Sequence, residues 1–66
     1  MTWHREYTAQ GGLIHVLRER AGLLAICRIV RRRRDTWEMH TLDEMFVLHG
    51  SLADVKTKAL GMLGIE

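Results

Sequence analysis

The chain has no proline, one cysteine and only four aromatic side chains in 66 residues, and each shortage narrows what it can be. A single cysteine, Cys27, excludes an intramolecular disulfide, and the four histidines show no zinc-type spacing. A domain of this size buries only about 60% of the surface its unfolded chain exposes. Without a staple, its stability has to come from tight packing or from self-association, so a homodimer is the expected state. The longest apolar stretch, Leu23 to Cys27, falls far below the roughly 20 residues that cross a bilayer, and no cationic leader precedes an apolar run. A soluble, cytoplasmic protein without membrane contact is expected. Few aromatics, none of them in the alternating arrangement of an RNA-binding sheet, leave single-stranded nucleic acid without a stacking platform.

Apolar side chain, in contrast, is plentiful. At 47% hydrophobic and with no proline, the chain carries enough of it to offset the entropy of ordering, so one folded domain over residues 1–66 is expected. Cys27 lies inside an apolar run, where a free thiol behaves as a small hydrophobe suited to a reducing compartment.

The net charge of +2 conceals a strong segregation. From His15 to Arg34 there are seven arginines against Glu19, a balance of +6. From Asp35 to Asp54 there are five acids and no Lys or Arg, a balance of −5. If these segments are neighbouring antiparallel strands, cross-strand ion pairs neutralise part of the arginine run.

The centre of the pattern is Ala25 to His40, A-I-C-R-I-V-R-R-R-R-D-T-W-E-M-H. An alternating β-branched run enters four arginines, turns at Asp35 and leaves on a second alternating segment through Trp37 and Met39. This is a β-hairpin with a cationic tip. Leu23 to Arg32 has apolar groups on both faces, Leu23, Ala25, Cys27 and Ile29 on one and Leu24, Ile26 and Val30 on the other, which predicts a central strand. Whatever apolar surface the helix leaves bare is most simply covered by a second subunit or a partner protein.

On either side the chain punctuates itself. Met1 to Tyr7 suits a short edge strand with Trp3, Arg5 and Tyr7 on its inward face, and Gly11-Gly12 marks a reversal. Residues 13–21 are open to two readings. Leu13, Val16, Leu17 and Leu24 share a helical stripe that Gly22 could stop, whereas Leu13 to Arg18 as a strand would pair with Leu23 to Val30 across a turn ending at Gly22; the strand is favoured. Thr36 to Thr41 and Met45 to His49 continue as meander strands. Ser51 followed by Asp54 forms an acidic capping box, so a helix starts at Leu52 and carries Leu52, Val55, Ala59, Met62 and Leu63 on one stripe. Gly64 is placed to end that helix, with Ile65 folding back toward Leu60. The expected fold is α+β, a small antiparallel β-meander of three to five strands packed on a C-terminal α-helix over Leu52 to Leu63.

The segment Ile29-Val-Arg-Arg-Arg-Arg-Asp-Thr-Trp-Glu-Met-His40, followed by Phe46-Val-Leu-His-Gly-Ser-Leu-Ala-Asp-Val-Lys56, resembles the C-terminal half of small accessory proteins of actinobacterial phages, mycobacteriophages especially. The resemblance covers roughly residues 25 to 63. It implies expression inside an infected host and action by binding a host protein, and it carries no functional residue over.

Three chemistries compete for the unusual residues. Arg28, Arg31, Arg32, Arg33 and Arg34 could follow a phosphate backbone, because the planar guanidinium fork suits phosphate and a two-stranded ribbon enters a major groove. The same arginines, with Trp37 as a rigid anchor, could grip a protein partner; alternatively Trp37 is the largest core side chain and the arginines a solvated hairpin end. Glu38 and His40 share a strand face, with His49 on the next strand, but no nucleophile or convergent ligand set accompanies them. No catalytic residue, metal or cofactor is therefore expected. The expected function is binding of a partner, a host protein first and DNA as the alternative, through Arg28, Arg31 to Arg34 and Trp37.

Overall fold

The computed structural model of the protein describes residues 1–19 and 24–65. Five strands, β1 (Thr2–Tyr7), β2 (Leu13–Arg18), β3 (Ala25–Arg33), β4 (Thr36–His40) and β5 (Met45–His49), precede one helix, α1 (Leu52–Met62). The strands pair in sequence order, β1-β2-β3-β4-β5, and every pair is antiparallel. The architecture is α+β, a meander with a C-terminal helix. The expected start of the third strand at Leu23 and the turn at Gly22 lie outside the described residues.

Residues 13–18 form a strand, and the register shows why. Ile14 lies opposite Val30 and Leu17 opposite Cys27, so the segment joins the already apolar β3. Leu17 is 1% exposed and Val16 fully buried. A helix would have left β3 with an unpaired edge, and the ladder hydrogen bonds together with burial on both faces decide the conformation.

One face of the sheet carries Leu17, Cys27, Ile29, Trp37 and Met39, and α1 packs Val55 and Ala59 against them. Ser51 caps the helix as its spacing predicts: its Oγ accepts from the Asp54 N–H at 3.2 Å, and its own N–H donates to Asp54 Oδ2 at 3.4 Å. At the other end Ile65 N–H donates to the Leu60 carbonyl at 2.9 Å, the fold-back expected after Gly64. Two apolar residues on the expected inward faces are not covered. Tyr7 is 71% exposed and Met62 47%. Tyr7 ends β1 next to the turn Thr8–Gly12, and Met62 is the last helical residue; one short helix does not cover the whole sheet.

The opposite face has no helix. His4, Val16, Arg28, His40 and Met45 lie side by side across it. Val16 is nonetheless completely buried, so the sheet's own side chains cover the centre of this face. Two ion-pair groups contribute there. Arg18 bonds Glu6 with Nε and Nη2 at 3.0 and 3.1 Å, and Glu38 lies between Arg32 at 2.6 Å and His40 at 3.0 Å. The apolar surface argued to need a second subunit is thus smaller than strand alternation suggests. Its exposed part is Met45 and Val47 on β5, each 51% exposed, together with Leu24, which precedes β3.

Candidate partner-binding surface

Antiparallel strands in sequence order send successive turns to alternate ends of the sheet. The turn Thr8–Gly12, the β3–β4 turn at Arg34-Asp35 and the helix start at Ser51 share one end. The β4–β5 connection, with Asp43 and Glu44, lies at the other. Asp43 and Glu44 are thereby carried away from the arginines, while Asp35 stays in the turn beside Arg34. Of the segregated charges, one ion pair, Arg32 to Glu38, joins β3 and β4 among the described residues.

The β3–β4 turn is two residues long, and Asp35 takes φ +60°, a left-handed conformation that aspartate tolerates better than most residues. Arg31 pairs with Trp37 and Arg33 with Thr36, so β3 has one residue more than β4 between these pairs. That β-bulge at Arg32 re-aims the run. Arg31 shares the helix side with its cross-strand partner Trp37, whereas Arg32 reaches Glu38 on the open side. The ion pair and hydrogen bond from Arg32 hold the Glu38 carboxyl below the ordinary carboxylate range, with a further contribution from His40, and raise the Arg32 guanidinium.

The tip is tied down. Gly50 N–H donates to the Asp35 carbonyl at 3.0 Å, and the Gly50 carbonyl accepts the Trp37 indole Nε1–H at 2.9 Å. One residue of the loop entering α1 therefore anchors both the turn and the tryptophan.

The structure separates the sequence-predicted residues into groups. Arg31, Arg33 and Arg34 are exposed at the tip, and none forms an ion pair with a carboxylate among the described residues. Arg31 Nε instead donates to the Arg33 carbonyl at 3.3 Å. Arg32 is exposed and paired. Arg28 is exposed but lies opposite His40, away from the tip. Trp37, only 8% exposed, is a core side chain. Glu38 and His40 do meet, through the 3.0 Å contact, while His49 lies opposite Thr36 rather than either of them. No group of three or more potential metal ligands occurs among the described residues. Cys27 is buried, and burial pushes its thiol up, which suits a core side chain. No helix is long and apolar enough to cross a membrane.

Sequence reasoning missed a second cationic group on the helix side at the same end. Arg5, His15, Arg31 and Lys56 line one concavity of about 650 Å³ with Trp37 among its walls. The register places Arg5 opposite His15, and the helix brings Lys56 over Trp3, its Nζ 5.3 Å from the ring centroid. No sequence motif signals this group, because its members belong to four different elements. No family model matches the sequence, and comparison with curated proteins and with solved structures finds no match.

Proposed function

We propose that the protein is a binding module of the phage accessory type, which engages an acidic surface of a host protein through the hairpin tip and does not act as a catalyst. The observation that carries this reading is the uncompensated tip: Arg31, Arg33 and Arg34 are exposed, unpaired with any described carboxylate, and held by the Gly50 anchor. Arginine forks suit carboxylates, and the anchored turn spares the backbone's share of the ordering cost on binding. Arg28 and Arg32 flank this site, and Trp37 supports it from the core. Met45 and Val47, half exposed on the edge strand β5, are the surface through which two copies would pair into the expected homodimer.

Duplex DNA is the second reading, favoured by the narrow two-stranded ribbon that carries the arginines. Salt dependence separates the two. DNA affinity falls by about 0.9 log unit per log unit of salt for each phosphate contacted, whereas a protein interface with apolar contacts loses much less. The decisive comparison is affinity capture from host lysate with the native protein and with Arg33→Glu/Arg34→Glu, alongside duplex binding at low and at physiological salt. A captured protein lost from the variant supports the proposal. An identical captured set from both proteins removes the tip from the function, and salt-sensitive duplex binding without a captured protein installs the DNA reading instead.

A further inference from the structure

The concavity between the β1–β2 hairpin and the start of α1 gathers cations that form no ion pair among the described residues. Arg5, Arg31 and Lys56 line it from β1, β3 and α1, and no Asp or Glu belongs to its wall. His15, on β2, stands among them only 6% exposed, and its buried Nδ1 has no hydrogen-bond partner. An unmet buried polar atom is uncommon in a folded protein and is completed by a water, an ion or a local rearrangement; His4 Nε2, on the opposite face, is a second such atom. The remaining wall is largely apolar, with Leu13 and Leu52 at its sides. About 650 Å³ lies within the range of small-molecule sites.

We propose that this concavity binds an organic phosphate of mononucleotide size. Its phosphate is received by Arg5, Arg31 and Lys56 beside His15, and its less polar body lies along Leu13 and Leu52. Three cations without a carboxylate favour a dianionic head over a single carboxylate, and the guanidinium and ammonium donors are those that phosphate oxygens accept from. Among the described residues, the charged groups that line the concavity with His15 are all of one sign: Arg5 opposite it on β1, Arg31 from β3 and Lys56 from α1. Burial holds the His15 imidazole below its ordinary value, and Lys56 and Arg5 add to that lowering. A bound dianion reverses the electrostatic part, so occupancy raises the His15 titration midpoint. The site shares only Arg31 with the partner-binding tip, and the tip variant Arg33→Glu/Arg34→Glu leaves its wall intact, so the two proposals fail separately.

The test is a heteronuclear NMR titration of the full chain with adenosine 5′-monophosphate, adenosine and inorganic phosphate. The expected result is saturable shifts of the Leu13, His15, Leu52 and Lys56 amides with the nucleotide and not with adenosine, together with a raised His15 ring midpoint. Inorganic phosphate reproduces the ring effect more weakly. Arg5→Met and Lys56→Met each weaken nucleotide binding at least about tenfold, while Lys58→Met, outside the concavity, leaves it unchanged. Amide spectra that match the native protein away from the site establish that the variants are folded. No saturable shift with nucleotide, equal shifts with adenosine, or equal weakening by Lys58→Met would overturn the assignment.

Discussion

Gly50→Ala tests how the hairpin tip is coupled to the helix. Gly50 holds φ +127°, a region that residues with a side chain rarely enter, and it supplies both anchoring hydrogen bonds, to Asp35 and from Trp37. A Cβ placed there would stand 3.2 Å from the Asp54 Cβ and 3.3 Å from Asp54 Oδ2. The substitution therefore imposes backbone strain of about 1–3 kcal/mol and presses on the carboxylate that closes the capping box, where loss of a cap costs about 0.5–2 kcal/mol. The combined cost is about 1.5–5 kcal/mol, against a total stability of about 3–10 kcal/mol for a domain of this length. Urea unfolding followed by far-ultraviolet circular dichroism measures it. Gly64→Ala is the control, since Gly64 also has positive φ, +74°, but its added methyl meets nothing within 4 Å. Gly50→Ala should be the more destabilising of the two, and Asp54→Ala should relieve part of its cost in the double variant. Equal costs at the two glycines, or strict additivity with Asp54→Ala, refute the proposed coupling through the cap.

Other perturbations have distinct signs. Gly61→Ala lies within α1 with open space around its added methyl, so it should raise stability by about 0.5–1 kcal/mol in the same urea assay. Leu17→Ala removes a side chain that is 1% exposed from the centre of the core and should cost about 2–5 kcal/mol, enough to leave much of the population unfolded at 37 °C by thermal melting. The Glu38 carboxyl is lowered by Arg32, so its stabilising effect is present above the ordinary value of 4.5 and is lost as pH falls through the lower folded value. Glu38→Gln should flatten that acid limb in a series of melting temperatures against pH. His15 gives a limb at higher pH. Its imidazole is held below the ordinary 6.5, chiefly by burial, so the unfolded chain takes up its proton first and stability declines as pH falls below that value; His15→Gln should abolish the decline.

Much of the fold was legible because one face of a small sheet must be dry. Alternation placed Cys27 with Ile29, and Trp37 with Met39, on common strand faces without saying which face is covered; the helix settles it, and all four are buried beneath it. The capping box at Ser51 and Asp54 and the fold-back of Ile65 were legible for a different reason, since both are local contacts encoded within a few residues. Leu13 to Arg18 was ambiguous because a six-residue apolar segment satisfies both periodicities; only pairing with β3, in which Ile14 meets Val30 and Leu17 meets Cys27, selects the strand. Tyr7 and Met62 were misplaced because alternation says which face a residue shares and nothing about how far a single helix reaches across it.

The charge pattern was legible in composition but not in space. Sequence proximity made the acidic stretch after Asp35 look like the neutralising partner of the arginine run. A meander separates them, because Asp43 and Glu44 belong to a turn at the opposite end and Asp54 is engaged in the helix cap. Two acids remain in the hairpin: Asp35 forms the turn, and Glu38, opposite Val30 on the open face, is the one that pairs with Arg32. A bulge needs only one extra residue, and a run of four identical residues gives no mark of which one it is. Regular alternation from Ile29 keeps Arg31, just before the shift, on the helix side with Trp37 and His15 at the border of the cationic concavity, while Arg33 and Arg34 lie at the tip. The four arginines thus divide among three surroundings: Arg31 beside the concavity, Arg32 in an ion pair, and Arg33 and Arg34 open to a partner. Reversing the charge of Arg32 should therefore perturb the open face and the acid limb of stability, whereas reversing Arg33 and Arg34 should change binding with little effect on either.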